Sequence, residues 1–240
     1  LIGQQTDWGV KNESDDSFDG GIGYGGSYEH SDLSNTHLAL EALYHTRSLA
    51  TDTGEKKVTE LDWGAALEFV SRCQNLQATN DTENAGNDGG FVYFPGNSKA
   101  GEELDENGKT ALRSYGSMSY AGLLSLVYAD LDAEDPRVKA VIKWLSDNYT
   151  LKENPGLDQQ GLYYYYHVMA KTLAAANIPS LETKAGKKVD WRAELSTKVI
   201  NTQREDGSWI NKTARWMEND PILVSSYAVM TLEQIHATLR

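Results

Sequence analysis

Two stretches of the chain hold the residue types that acid or polar chemistry requires. The first is Asp32-Leu33-Ser34-Asn35-Thr36, which opens a run of Ala and Leu at helical spacing. A carboxyl group at such a helix start, in apolar surroundings, can serve as a proton donor. Asp32 is such a carboxyl; Asp32, its polar neighbours Ser34 and Asn35, and His167 further along are the candidate catalytic residues, although Asp, Ser and Asn are also good N-caps. The second stretch is Trp216-Met217-Glu218-Asn219-Asp220-Pro221, where two carboxylates precede a proline at a helix start. Glu218 and Asp220, with Asp32, His30 and Asp7, would make a polar rim. Carboxylates about 5–10 Å apart beside stacking aromatics are what glycosidic-bond chemistry needs. The plainer alternative is a solvated loop leading into a helix.

His167 follows an unbroken run of tyrosines from Tyr163 to Tyr166. Such a run points all around a helix, so at least one ring faces whatever that helix lines. Tyr28, Tyr115, Tyr163, Tyr166, His167, Trp216, Glu218 and Asp220 are the candidate ligand-binding residues. Core packing, with hydroxyls satisfied at the rim, is the alternative for the aromatics and for His167. Cys73 is the sole cysteine, which excludes an intramolecular disulfide and a cysteine-rich metal site. No metal site and no cofactor is expected: no phosphate loop, dinucleotide fingerprint or Ser-His-Asp signature is present.

These residues sit in a repeating frame. Asp62-Trp63-Gly64-Ala65-Ala66-Leu67 and Asp190-Trp191-Arg192-Ala193-Glu194-Leu195 share one phrase, with Asp135-Pro136-Arg137-Val138 as a variant. Each puts Asp at an N-cap before apolar residues at helical spacing. A second phrase is a polar stretch, then Asp-Gly, then an aromatic: Asp19-Gly20-Gly21-Ile22-Gly23-Tyr24, Asp88-Gly89-Gly90-Phe91 and Asp206-Gly207-Ser208-Trp209. Asn154-Pro155-Gly156 reads as a degenerate copy. A third phrase is an Ala/Leu-rich helix, near 34–48, 114–130, 161–177 and 222–239. The unit is helix, glycine turn, helix, repeated about four times. The spacing predicts an all-α chain forming one domain over 1–240, whose first unit lacks its opening helix. Residues 78–112 form a loop too long for a tight connection, and 178–189 a shorter polar linker.

A net charge of −13 argues against a nucleic-acid surface and against docking on an anionic membrane. No apolar run approaches the ~20 residues of a membrane span. The chain starts at Leu1 without Met, so a missing signal peptide leaves the compartment open, and oligomeric state is open as well.

Gln203-Arg204-Glu205-Asp206-Gly207-Ser208-Trp209 resembles the Gln-x-x-Asp-Gly-x-Trp motif of the prenyltransferase and squalene-oxidase repeat family. Asp19-Gly20-Gly21-Ile22-Gly23-Tyr24-Gly25 is a related form, and the resemblance covers nearly the whole chain. It implies an α/α toroid, with inner helices ringing an apolar cavity that takes an isoprenoid or other apolar molecule. It also implies where catalytic groups belong. Cyclases of this kind carry an acid in Asp-x-Asp-Asp-Thr, and here Ser34 and Asn35 stand at the two later Asp positions. Protein prenyltransferases hold zinc through Asp-x-Cys before a run like Ala121-Gly122-Leu123-Leu124, and Arg113 and Tyr115 occupy those places. His167, after Pro155-Gly156, matches the family's histidine without its partners. The resemblance therefore points to a cyclase-like toroid that lacks the usual acid and zinc site. A non-catalytic binding module and a carbohydrate-active toroid are the alternatives. About four helical pairs are fewer than a closed ring uses, which predicts an open ring or further repeats N-terminal to Leu1.

Overall fold

Aspartate starts most of the helices. In the computed structural model, which describes residues 2–25, 28, 30–47, 61–104 and 108–239, seven α-helices follow one another. They are α1 (Leu33–Thr46), α2 (Trp63–Arg72), α3 (Gly116–Tyr128), α4 (Pro136–Asp147), α5 (Leu162–Ala175), α6 (Trp191–Asn201) and α7 (Pro221–Ala237). Asp32, Asp62, Asp135, Asp190 and Asp220 cap α1, α2, α4, α6 and α7, each carboxylate accepting from a first-turn backbone N–H. Pro136 and Pro221 occupy the first helical positions, where no N–H is needed.

The other two helices start differently. Tyr115 and Gly161 precede α3 and α5 and offer no side-chain cap. Both helices are almost wholly buried, so water cannot satisfy their first N–H groups. Residues far along the chain do so instead. Asn154 Oδ1 accepts from Ser117 N at 3.0 Å, and Glu218 accepts from Tyr164 N at 2.8 Å and Tyr163 N at 3.3 Å.

The helices form two layers. In the inner one α1 packs on α3, α3 on α5 and α5 on α7. In the outer one α2 and α4 lie against α3, and α6 lies against α7. One hydrophobic cluster runs through the whole arrangement, from Ile22 to Ile235. The recurring phrases are recurring contacts. The residue after each Asp-Gly-x turn donates its N–H to a hydroxyl on the next inner helix: Ile22 to Thr36 at 2.9 Å, Phe91 to Ser119 at 3.0 Å and Trp209 to Ser225 at 3.1 Å. Gln5 and Gln74 join each turn to the outer helix that follows. Gln5 Nε2 donates to Gly20 O at 3.0 Å and Asp62 O at 2.8 Å; Gln74 Nε2 donates to Gly89 O at 3.0 Å and Arg137 O at 2.9 Å.

The described residues are mostly helical, in keeping with an all-α fold, with two short hairpins between helices. Within the long loop, β1 (Glu102–Leu104) pairs antiparallel with β2 (Thr110–Leu112). In the polar linker, β3 (Leu181–Glu182) pairs with β4 (Lys188–Val189). Both hairpins are local and bury Leu112, Leu181 and Val189 under the helices, a tertiary gain that helical periodicity does not register. The long loop is pinned, with Tyr93 O accepting from Leu33 N at 2.9 Å and Asn75 Nδ2 donating to Leu112 O at 2.7 Å. At the chain start stands a 3-10 turn over Ile2–Gln4; Leu1 lies outside the described residues, as does residue 48 of the first expected inner helix.

The turns dictate their glycines by approach as well as by φ. Gly89 has φ +87°, and a Cβ there would meet Ala140 O at 2.7 Å. Gly96 has φ +86° but open space around it. Gly89→Ala is expected to cost about 2–4 kcal/mol, from left-handed strain plus displacement of α4, and Gly96→Ala about 1–2 kcal/mol from strain alone. Urea unfolding of the two variants measures the difference, and equal losses would refute close packing at the turn.

Candidate functional site

Residues from the C-terminal parts of α1, α3, α5 and α7 line one cavity, the lower mouth, and the starts of α1 and its neighbours are the upper mouth. Asp32 lies at the upper mouth, fully buried. Its Oδ1 accepts from Ser34 Oγ at 2.7 Å and Asn35 N at 2.9 Å, and its Oδ2 from Asn35 Nδ2 at 2.7 Å. The Asp-Leu-Ser-Asn-Thr start is thus a closed cap, with Ser34 and Asn35 both donating to the carboxylate. Glu218 is equally committed. Besides the α5 N–H groups it accepts from Asn211 Nδ2 at 2.7 Å, and burial raises its carboxyl pKa above the ordinary value. Asp220 accepts from Ile222 N at 2.8 Å. All three carboxylates offered for catalysis are therefore engaged by backbone N–H groups. The wider rim is dispersed in the same way: Asp7 accepts from Asn12 N at 3.0 Å, and His30 stacks on Phe94, ring centroids 4.5 Å apart.

The tyrosines divide by direction. Tyr165 and Tyr166 are buried and donate to the carbonyls of Thr150 and Leu151, at 2.9 and 2.6 Å. Tyr163 packs on Tyr166, ring centroids 5.6 Å apart, and its hydroxyl lies beside Thr202. Tyr163 and Tyr166 therefore point toward Thr202 and Leu151, on the side of α6. Tyr164 points the other way, 5.8 Å from Tyr227 between ring centroids and close to Tyr24, Tyr93 and Asp32. Tyr115 is buried behind this group, and Tyr28 stands exposed beside Tyr24. Trp216, at φ +56°, lies over Gly161, with Arg215 stacked 4.5 Å above its ring. Burial lifts the phenol pKa values of Tyr93, Tyr115 and Tyr164, so these hydroxyls stay protonated.

Deeper along the axis the interior is filled. His37, on α1, is buried with Nδ1 3.2 Å from Leu33 O. His167, on α5, stacks on Tyr227 at 5.9 Å, and its Nδ1 has no hydrogen-bond partner. Burial pushes both imidazoles down to about 4, so both are neutral at pH 7. One helical turn further, Lys171 Nζ reaches Glu41 Oε2 at 2.9 Å, bridging α5 to α1. Both side chains are largely shielded, at 16% and 22% exposure.

Below that bridge a cavity of about 340 Å³ opens at the lower mouth. All four inner helices line it: Glu41, Tyr44 and His45 from α1, Val127 and Tyr128 from α3, Lys171 and Ala175 from α5, and Gln234 from α7. Tyr44 and Tyr128 are 5.0 Å apart between ring centroids, and His45 meets both edge-on. Sequence reasoning missed this site. Its signal was present in Glu41 and Lys171, the one carboxylate on α1 and the one lysine on α5.

Arg113 and Tyr115, at the places the family resemblance reserves for zinc ligands, diverge. Arg113 is exposed, 3.6 Å from Glu103, while Tyr115 is buried. Among the described residues no three His, Cys, Asp or Glu side chains gather into a metal-sized group. No helix among them is long and apolar enough to cross a membrane.

The neutral histidines set a pH dependence. An imidazole takes a proton at about 6.5 when unfolded but only at about 4 when folded, so the unfolded state binds more protons between those values. Stability is expected to fall as pH drops from about 6.5 to about 4, by up to ~1.4 kcal/mol per pH unit for each histidine. The raised Glu218 carboxyl acts in the opposite sense, favouring the folded state as it protonates. Urea midpoints at pH 7 and pH 5 are therefore expected to differ less in His37→Gln and His167→Gln than in the parent. An unchanged difference would show that the imidazoles are charged in the folded protein.

Compared with known proteins, the chain matches no family model, no curated protein and no solved structure.

Proposed function

We propose that this chain is a non-catalytic binding module, an arc of an α/α toroid that holds a small amphiphilic molecule in its lower axial cavity. The observation that carries this reading is the fate of the carboxylates. Asp32, Glu218 and Asp220 are each held by backbone N–H groups at a helix start, leaving no unengaged acid among the offered candidates. The cavity supports the ligand class. Its volume of about 340 Å³ lies at the small end of ligand pockets, which run to about 1,000 Å³. Tyr44, Tyr128, Val127 and Ala175 suit an apolar body. Gln234 and the Glu41–Lys171 pair suit a hydroxyl or amide at its end.

An isoprenoid alcohol meets that description. A prenyl diphosphate does not, because the chain carries −13 net charge and Lys171 is already paired. Tyrosine fluorescence and calorimetry with geraniol and with geranyl diphosphate separate the cases. Binding of the alcohol is expected, weakened at least tenfold (~1.4 kcal/mol) by Tyr128→Ala. Preference for the diphosphate, or indifference to Tyr128→Ala, would remove the cavity from the reading. Turnover of squalene or of a prenyl diphosphate by purified protein would overturn the non-catalytic assignment itself.

A further inference from the structure

Asp32 is a fully buried carboxylate with hydrogen bonds but no counter-ion. It accepts from Ser34 Oγ, Asn35 N and Asn35 Nδ2, and among the described residues no Lys, Arg or His side chain pairs with it. Glu218, equally buried, has no cation partner there either. A buried charge is costly unless something nearby offsets it. The start of a helix supplies the equivalent of only about +0.5 charge. The upper mouth is therefore left with negative potential, in a chain whose net charge is −13.

Tyrosines from four separate segments converge over that charge. The Tyr93 hydroxyl lies beside Ser34 and Tyr24. Tyr164 lies close to Asp32, Tyr24 and Tyr93, and its ring centroid is 5.8 Å from that of Tyr227. Tyr28 extends the group, 5.9 Å from Tyr24, with its N–H donated to Gly25 O at 3.3 Å. Tyr93, Tyr164 and Tyr227 are half-buried and Tyr24 is exposed, so the group reaches the surface. A cation already rests on it: Lys99 Nζ stands 4.2 Å from the centroid of Tyr93. Below, His167 stacks on Tyr227 and is neutral at pH 7, so no positive charge closes the group from beneath. The faces of these rings attract cations through their quadrupoles. Asp32 is too deeply buried to be touched, and its oxygens are mostly filled, so its charge acts through space alone. A metal ion or a primary ammonium would need direct oxygen partners. A cation without N–H groups needs only ring faces and the potential beneath them.

We propose that the upper mouth binds a quaternary ammonium group, of the kind choline carries, against the faces of Tyr24, Tyr93, Tyr164 and Tyr227, with Asp32 beneath them as counter-charge. The methyl groups lie on the rings, and the cation supplies the charge that Asp32 lacks. This site is separate from the lower cavity and takes a different chemistry, so either can fail without the other.

Choline chloride is the probe, added to the full chain with isotope-labelled tyrosine rings. Saturable NMR shifts are expected at Tyr24, Tyr93, Tyr164 and Tyr227. The neutral isostere, with a tert-butyl group in place of trimethylammonium, is expected to bind at least about tenfold more weakly. Potassium chloride at equal ionic strength is expected to give no saturable shift. Tyr24→Ala is expected to weaken choline binding about fourfold, with the dispersed spectrum of the folded chain retained, and Tyr24→Phe, which keeps the ring face, to bind within about twofold of the parent. Equal affinity for the isostere, no saturable shift at tens of millimolar choline, or shifts centred on Tyr44 and Tyr128 in the lower cavity would overturn the proposal. Phosphatidylcholine vesicles tell the two sources of this group apart: sedimentation of the parent but not of Tyr24→Ala assigns the site to a lipid headgroup, and choline binding without sedimentation assigns it to the free ion.

Discussion

Two of the four inner helices, α3 and α5, are buried over most of their length, and that burial decides much of the rest. A helix leaves its first N–H groups without partners, and inside a protein each unpaired one costs on the order of 1–3 kcal/mol. α3 and α5 cannot cap themselves, because Tyr115 and Gly161 carry no suitable acceptor at their starts. The chain brings acceptors from later turns: Asn154 for α3 and Glu218 for α5. Each of these two helices is therefore locked to the repeat that follows it. The stacking order is held by directional polar contacts as much as by apolar area.

The same constraint shapes the chemistry of the site. A carboxylate that closes a helix start, with its oxygens filled by N–H donors, is a poor proton donor to any substrate. Asp32 closes α1 with help from Ser34 and Asn35, and Asp220 closes α7. What remains for recognition is different in kind: protonated phenols at the upper mouth, and below them neutral imidazoles, an ion pair and the lower cavity. The Lys171–Glu41 bridge joins α5 to α1 at the edge of that cavity.

Repetition supplies the other organising feature. A glutamine, a glycine at positive φ and the backbone of the next outer helix make one joint, used twice with all its parts and once with a part missing. The contacts are to backbone carbonyls, so they tolerate different side chains on the outer helix. This explains why α2 and α4 fill equivalent seats with little sequence in common beyond an aspartate cap and an alanine.

The sequence by itself determined the helices and their starts. Asp62, Asp135 and Asp190 before apolar residues at helical spacing mark the outer helices, because capping and amphipathicity are local properties. It also marked the glycine turns, since positive φ and close approach leave glycine little competition there. The two hairpins escaped it because they are short and stabilised only by the helices they cover. Only the tertiary structure decided what the chemical groups do. Glu218 and Pro221 are close in sequence, yet Glu218 serves α5 and not the helix it precedes. Tyr163, Tyr164 and Tyr166 are alike in type, yet only Tyr164 turns to the axis. Glu41 and Lys171 lie far apart in the chain and meet across it. Each of these outcomes depends on which helix packs beside which, and that is set by long-range contacts that no local pattern encodes.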